Sequence, residues 1–442
     1  MEHSNKQTRR EFLAKSALGV AGMAVTANWL SSCTRSSKKE LDVPPLLNEA
    51  PDGETLRAGL VGCGGRGTGA AIDFLNAGPN LELTAMADIF EDKLVDSRKS
   101  IQKQTGNEVP EENCFVGFDA YQKLIDSDVD VVLLATPPYF RPLHFAACVD
   151  ANKQVFMEKP VAVDPVGVRS IISTAKRAES LGLNVMTGTH YHHEKSRVEA
   201  YKRIMNGAIG DIVAANCYFN MGQLWYKERI PEWSDMEAML RDWVNWCWLS
   251  GDHIVEQHVH NIDAISWFMD GKFPESAVGF GSRHQRLTGD QYDNFSVDFV
   301  YEGDVHVHSM CRQIDGCANN VSEFLRGTKG YSDGRTFINN SKGEQIWAYN
   351  EEEKANEPHF QEQIHLVTAI RRNETVNVAE FTASSTLAAI MGRVSAYTGQ
   401  KVTWEEMMKS NLRLGPEGGP ESVTSLGSSD LINSKVAVPG SD

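Results

Sequence analysis

The sequence predicts an α/β protein of two domains. The N-terminal half is built on a parallel sheet with helices between its strands, and the C-terminal half is α+β with a largely antiparallel sheet. Three observations carry this expectation. Short continuous apolar runs at 56–61, 81–87, 129–135, 155–157 and 184–186 alternate with helical stretches. The first run ends in a glycine-rich turn that opens a helix. Beyond it, 212–219 alternates as a strand, and 276–281, 293–301 and 305–312 read as an antiparallel set.

The 442 residues are 41% hydrophobic and 23% charged, a folded composition long enough for two domains. Lys and Arg total 43 against 59 Asp and Glu, for a formal charge of -16, and no basic patch interrupts the acidity, so nucleic acid is excluded as a partner. The eight cysteines form no CxxC pair and read as packing thiols, with Cys33 a separate case.

Residues 1–33 read as an address. Thr8-Arg9-Arg10-Glu11-Phe12-Leu13 precedes a weakly apolar stretch and then Leu30-Ser31-Ser32-Cys33. The first resembles a twin-arginine export signal, and the second resembles the box at which lipoprotein leaders are cut and Cys33 lipidated. The apolar stretch falls short of the roughly 20 residues that span a bilayer. The expected location is periplasmic, or membrane-anchored through Cys33. The twin-arginine route carries folded proteins, so a cofactor inserted before export is implied. Residues 34–54, polar and with Pro44 and Pro45, read as a tether.

Residues 55–187 read as a dinucleotide-binding Rossmann domain. The first strand runs into Gly62-Cys63-Gly64-Gly65-Arg66-Gly67, a complete G-x-G-x-x-G at the mouth of a helix. Backbone N–H groups at such a helix start face the pyrophosphate. The second strand ends in Asp88, 21 residues past Gly67, where a carboxylate accepts the ribose hydroxyls. A carboxylate there repels a 2'-phosphate, and Ile89-Phe90 supplies no cation to hold one, so NAD is expected over NADP. The third strand leads to Thr136-Pro137 at a carboxyl end, a helix carrying His144 follows, and the next strand delivers Glu158-Lys159-Pro160.

A Rossmann half ending in a strand that delivers Glu-Lys-Pro resembles the Gfo/Idh/MocA family, named for glucose-fructose oxidoreductase, inositol dehydrogenase and the rhizopine protein MocA. The resemblance implies that Lys159 lies between nicotinamide and substrate. It also implies that the stretch from Glu256 to Asp263 matches the family's Asp-x-x-x-His-x-x-Asp motif, with His260 the acid/base, Glu256 in place of the usual Asp, and Asp263 near the substrate. His190, Tyr191 and His192, in the loop after the last parallel strand, become candidate substrate contacts. The resemblance further implies a C-terminal sheet that makes a homo-oligomer.

Residues 188–410 then form the substrate domain and 411–442 a loose or surface-hugging tail. An aromatic insertion contains Trp225, Tyr226, Trp233, Trp243, Trp246 and Trp248. Tryptophan faces stack on sugar rings, so one or two of these are expected in a carbohydrate pocket, with Tyr226 and Trp243 the candidates, and the rest as packing. His253, Glu256, His258 and His260 crowd together without a metal-ligand frame, and on a helix spanning 256–269 only Glu256 and His260 share a face, so no metal is expected. Helices are expected at 171–181, 196–206, 360–371, 382–397 and 403–410.

The implied chemistry is hydride transfer at a secondary hydroxyl of a sugar. His260 takes the proton and Lys159 hydrogen-bonds the oxygen. An exported enzyme has no exchangeable NAD pool, so the cofactor must be held tightly and recycled in place. The alternative is an NAD-dependent glycoside hydrolase, which oxidises C3, eliminates across C2 and needs a further base from Tyr191, His192 or Tyr226. A third expectation, a sugar-binding lipoprotein without catalysis, sits poorly with the intact motifs.

Overall fold

The computed structural model describes residues 43–350 and 354–440. The twin arginine and Cys33 lie outside the described residues. The chain enters the first sheet at β1 (Leu56–Val61) and continues through α1 (Gly65–Asn76), β2 (Leu81–Asp88), α2 (Glu91–Thr105), β3 (Cys114–Val116), α3 (Ala120–Ile125), β4 (Val131–Leu134), α4 (Arg141–Asp150), β5 (Gln154–Met157), α5 (Pro165–Ser180) and β6 (Val185–Thr187). The strands lie in the order β3-β2-β1-β4-β5-β6, and all pair in parallel. Both faces are covered, which is why β4 reads Val-Val-Leu-Leu without a polar alternate.

Phe74 of α1 packs with Leu60, Met86, Leu133 and Phe156 on one face. Phe145 of α4 and Ile171 of α5 cover the other.

The chain continues through α6 (Lys195–Met205), β7 (Ile212–Met221), α7 (Asp235–Arg241), α8 (Cys247–Ser250), α9 (His253–Glu256) and α10 (Val259–Phe268). It then forms β8 (Ser276–Ser282), β9 (Asn294–Tyr301), β10 (Val305–Gln313), β11 (Asn320–Gly327), β12 (Gly330–Ser332), β13 (Phe337–Asn340) and β14 (Gln345–Ala348). Helices α11 (Pro358–Arg371) and α12 (Ala379–Thr398), strand β15 (Val402–Thr403) and α13 (Trp404–Lys409) complete it. The second sheet has nine strands, ordered β14-β13-β12-β11-β7-β10-β9-β8-β15 and antiparallel except for the β7–β10 pair. Strand β9 shows the two-residue alternation of a half-covered sheet, with Phe295, Val297, Phe299 and Tyr301 turned into the core.

Two departures from the sequence expectation have physical causes. Strands β3 and β11 to β14 are short or largely polar, so their periodicity carries little apolar signal. The helix expected over 256–269 is broken at Gln257 and His258. Buried His258 directs Nε2 to Ser309 Oγ at 2.6 Å, and Gln257 is tied to Gln313, so partners on β10 interrupt the helix. The tail, expected as loose or surface-hugging, is fastened to the surface: Val423 is 6% exposed in an aromatic cluster with Phe90, Tyr139, Leu240 and Trp248.

Helices α11 and α12 return to the parallel sheet. Helix α11 adds Ile364 and Val367 to the core around Phe74. Helix α12, buried along most of its length, packs on both α5 and β8 and so joins the two sheets. Among the described residues no helix is long and apolar enough to cross a membrane.

Candidate active site

A cleft of about 1040 Å³ opens along the carboxyl ends of the parallel strands, where ligands of such sheets bind. Its floor is the β1–α1 turn. Gly62 has φ +96°, and a Cβ there would lie 2.7 Å from the Ala135 carbonyl carbon and the Thr136 nitrogen. At Gly67 a Cβ would lie 1.9 Å from the Gly62 carbonyl oxygen. Gly64 and Gly65 face open space at the helix start. Asp88, at the end of β2, accepts N–H bonds from Cys63 at 2.7 Å and Phe90 at 2.8 Å, which hold its carboxylate at the cleft wall. Burial pushes its pKa up against those two donors. A bare glycine cradle at a helix N-terminus with a fixed carboxylate beside it fits a dinucleotide's pyrophosphate and ribose.

Thr136, Pro137 and His144 line the same cleft. Thr136 Oγ1 and His144 Nδ1 are 3.2 Å apart, and the imidazole packs on Tyr121. Burial, with Arg141 nearby, lowers the His144 pKa to about 3, and burial lowers buried His258 likewise to about 3. Both sit below the ordinary 6.5, so the folded state binds fewer protons than the unfolded chain at mildly acid pH. Their contribution to stability is complete above about pH 6.5 and is lost as pH falls toward 3, at about 1.4 kcal/mol per pH unit for each group. The urea midpoint should therefore be lower at pH 5 than at pH 7. An unchanged midpoint would contradict the neutral, buried state of these rings.

Lys159 follows β5, three strand positions from Asp88, or about 14 Å across the sheet at the usual strand spacing. Its Nζ donates to the main-chain carbonyl of Glu256 and lies 3.3 Å from Glu256 Oε1. The break after α9 leaves that carbonyl without a helical partner, so the interruption itself creates the lysine's acceptor. Glu256 in turn borders the cleft.

His260, on the first turn of α10, has its ring 4.6 Å from that of His190 and 5.3 Å from that of Tyr191. Burial, with the charges of Lys159 and Arg197 and the neighbouring His190 and His359, holds the His260 pKa well below the ordinary value. Its neutral form can accept a proton. Tyr191 is covered by the Arg197 guanidinium at 3.9 Å, and burial pushes its phenol up to about 12.

Other candidates lie elsewhere. His192 and Asp263 pair with each other at 2.5 Å; the imidazole stacks on Trp267 and the second Asp263 oxygen accepts from Ser385. The two form a packed pair; neither is in the cleft lining, and the same holds for Lys159, His190, Tyr191 and His260. Tyr226 is 45% exposed and outside the cleft lining. Trp243 lines the cleft, joined by Trp225, whereas Trp246 and Trp248 are buried. Glu158 turns inward to Arg66, 2.5 Å from its Nε.

Several groups at the site have no local signal in the sequence. Glu362, on α11, shares Arg66 with Glu158; Arg66 lowers the Glu158 pKa against burial, while burial beside that carboxylate raises the Glu362 pKa. His359 of α11 stacks on His190 at 4.0 Å. Arg141, buried beneath the Glu-Lys-Pro turn, donates to the carbonyls of Pro160 and Thr136. Only the amphipathic pattern of 360–371 hinted at the helix, and nothing local says where it docks.

Fold and cleft together define a two-domain α/β protein, with a dinucleotide-binding Rossmann sheet followed by a mostly antiparallel one. Residues 56–189 match the Gfo/Idh/MocA model, described as an oxidoreductase family with an NAD-binding Rossmann fold, and the first domain is an NAD-binding domain of that kind.

A glycosyl hydrolase family 109 protein of Shewanella pealeana is 25% identical over 228 residues, covering 51% of this chain and 48% of that one. Trans-1,2-dihydrobenzene-1,2-diol dehydrogenase of Bos taurus is 28% identical over 218 residues, covering 48% and 57%. The chain thus spans about half the length of the curated relatives it matches. The solved scyllo-inositol dehydrogenase of Lactobacillus casei, with bound NAD(H) and scyllo-inositol, superposes with a TM-score of 0.58 at 20% identity, covering 79% of this chain and 99% of that one, a likeness of fold.

Proposed function

We propose that the protein is an NAD-dependent oxidoreductase acting on a secondary hydroxyl of a sugar or sugar derivative, with its cofactor held through turnover. The observation that supports this reading is the contact of Lys159 Nζ with Glu256, a residue lining the cleft whose floor is the glycine cradle and whose wall holds Asp88, with His260 close enough that the lysine charge adds to burial in lowering its pKa. Bound NAD supplies the hydride acceptor. Glu256 positions the Lys159 ammonium to hydrogen-bond the reacting oxygen, and neutral His260 accepts the hydroxyl proton. Trp225 and Trp243 offer apolar faces to the ring. The test is incubation of the purified protein, with its native cofactor, against free sugars and aryl glycosides, following reduced-nicotinamide absorbance and aglycone release together. Cofactor reduced by a sugar and reoxidised by a second carbonyl supports the reading; no spectral change with any sugar sinks it.

A second reading, glycoside hydrolysis through transient C3 oxidation, is favoured by one observation. The His190 ring sits 4.6 Å from that of His260, so a second imidazole base stands at the centre. That base could take the C2 proton once C3 is a ketone, the glycosidic oxygen leaving across C2–C1 before water adds and the ketone is reduced again. Of the bases expected from the sequence, Tyr191 is close to this centre, His192 is occupied by Asp263, and Tyr226 lies outside the cleft lining. Aglycone release without net cofactor reduction would select this reading.

The leader motifs support export by the twin-arginine route and lipid anchoring at Cys33; a Cys33→Ser protein recovered in the membrane fraction would refute the anchor. The outer face of the second sheet supports a homo-oligomer. Phe280 is 70% and Val278 52% exposed there; Met310 and Tyr218 stand in register with Phe280 beyond Ser296, and Phe324 stands in register with Val278 beyond Asp298, His308 and Asn216. A monomer in light scattering at working concentration would remove that proposal.

A further inference from the structure

We propose that the C-terminal segment, residues 411–440, is a fastened strap that forms one wall of the nucleotide cleft and governs the release of the dinucleotide. The proposal rests on the reading that the cofactor stays bound through turnover, and it names the part of the chain that keeps it there.

The strap is anchored both before and after its cleft-lining stretch. Before it the Leu414 N–H donates to Asp164 Oδ2 at 2.9 Å, and Gly415 lies so close to Tyr139 that a Cβ would meet the ring at 2.7 Å. After it the Met236 N–H donates to the Gly427 carbonyl at 3.0 Å, the Ser429 N–H donates to Asp235 Oδ2 at 3.1 Å, and the Tyr292 hydroxyl donates to the Ala437 carbonyl at 2.9 Å.

Between these anchors Pro420, Glu421, Val423 and Thr424 line the same cleft as Gly64, Asp88 and Tyr121. Val423 is the plug, buried among Phe90, Tyr139 and Leu240. Glu421 lies near enough to Tyr121 and Tyr139 to disfavour ionisation of both phenols.

The wall is therefore not part of the Rossmann sheet. A dinucleotide seated on the glycine cradle, with its ribose at Asp88, would be covered on this side by main chain that must part from Phe90 and Tyr139 before the adenosine half can leave. Release would then require a local opening of the strap, an event set by its own buried contacts and separate from global unfolding. An enzyme without access to a soluble NAD pool needs such a barrier.

The experiment measures NADH release from the full-length protein. The protein is loaded with NADH, mixed with excess NAD, and followed by nicotinamide fluorescence. Val423→Asp should accelerate release on the order of 10- to 100-fold, the range expected when one fully buried apolar anchor is lost. Val423→Ser serves as a milder variant if the aspartate prevents folding, with a smaller acceleration in the same direction. Limited proteolysis of the unaltered protein is the second measurement, and NAD should suppress cleavage within 411–440. Release from either folded variant at the unaltered rate, or cleavage in the tail insensitive to NAD, overturns the strap. If the unaltered protein itself exchanges NADH within one turnover, the tight-cofactor reading fails, while the ratio between variant and parent still decides the strap.

Discussion

Lys159→Ala should lower kcat by about 10³-fold while leaving NAD affinity within a few-fold of the parent, because removal of one donor aimed at developing negative charge costs roughly 10²–10³ and loss of a proton-transfer partner adds to it. The side chain is only 11% exposed and is fixed at the end of β5 by Glu256. Glu256 would lose its ion pair, yet it sits at the cleft edge where water can replace the ammonium, which limits the structural penalty. The measurement is single-turnover reduction of bound NAD on the best substrate of the panel, alongside a nicotinamide fluorescence titration. Partial rescue by a small alkylamine would show that the ammonium itself is needed. The effect combined with His260→Ala should be much less than the product of the two, since groups acting on one hydroxyl act as a unit. Full activity in Lys159→Ala would refute its place in the chemistry.

The parts of the fold and site that were legible from residues alone are those specified locally. The glycine spacing at 62–67, the carboxylate ending β2 and the Glu-Lys-Pro turn each depend on neighbours within about twenty residues, and their geometry follows from a strand, a turn and a helix. What was not legible depends on partners remote in the chain. The break before His258 is set by Ser309, a residue of another strand. His359 and Glu362 reach the site because α11 docks beside α1, and Glu362 meets Arg66 across 296 positions of sequence. Val423 belongs to a stretch whose Gly, Ser and Pro content leaves a loose and a surface-hugging tail equally open, and its burial is decided by Phe90, Tyr139 and Leu240. His192 and Asp263 become substrate candidates only through the family resemblance, and nothing in the sequence signals that they pair with each other. Composition reveals that a residue is polar; it does not reveal which buried partner claims it.

Gly67→Val should abolish NAD binding and leave the protein poorly folded or insoluble, the largest structural effect of a single change in the nucleotide half. A Cβ at this position would stand 1.9 Å from the Gly62 carbonyl oxygen and 3.1 Å from the Ala135 side chain. The first is less than the sum of atomic radii by more than an ångström, and the atom in the way is main chain that cannot swing aside as a side chain can. Relief requires α1 to move off β1. That would carry Phe74 out of its contacts with Leu60 and Leu133, and overpacking of such a core typically costs about 1–3 kcal/mol even when accommodation is possible. Gly67→Ala isolates the contact because it adds only the offending methyl group. It should lower Tm by several degrees, since about 2 kcal/mol corresponds to roughly 4–8 °C in a domain of this size. It should also weaken NAD by at least about tenfold, because any shift of α1 displaces the N–H groups that face the pyrophosphate. Gly64→Ala is the matched control: its Cβ would meet nothing within 4 Å of the protein, so it should leave Tm unchanged and affect only binding, where the methyl would stand in the space left for the nucleotide. A Gly64→Ala protein as unstable as Gly67→Ala would show that the loop tolerates no side chain for reasons of fold, and that the open space at Gly64 is not a ligand's.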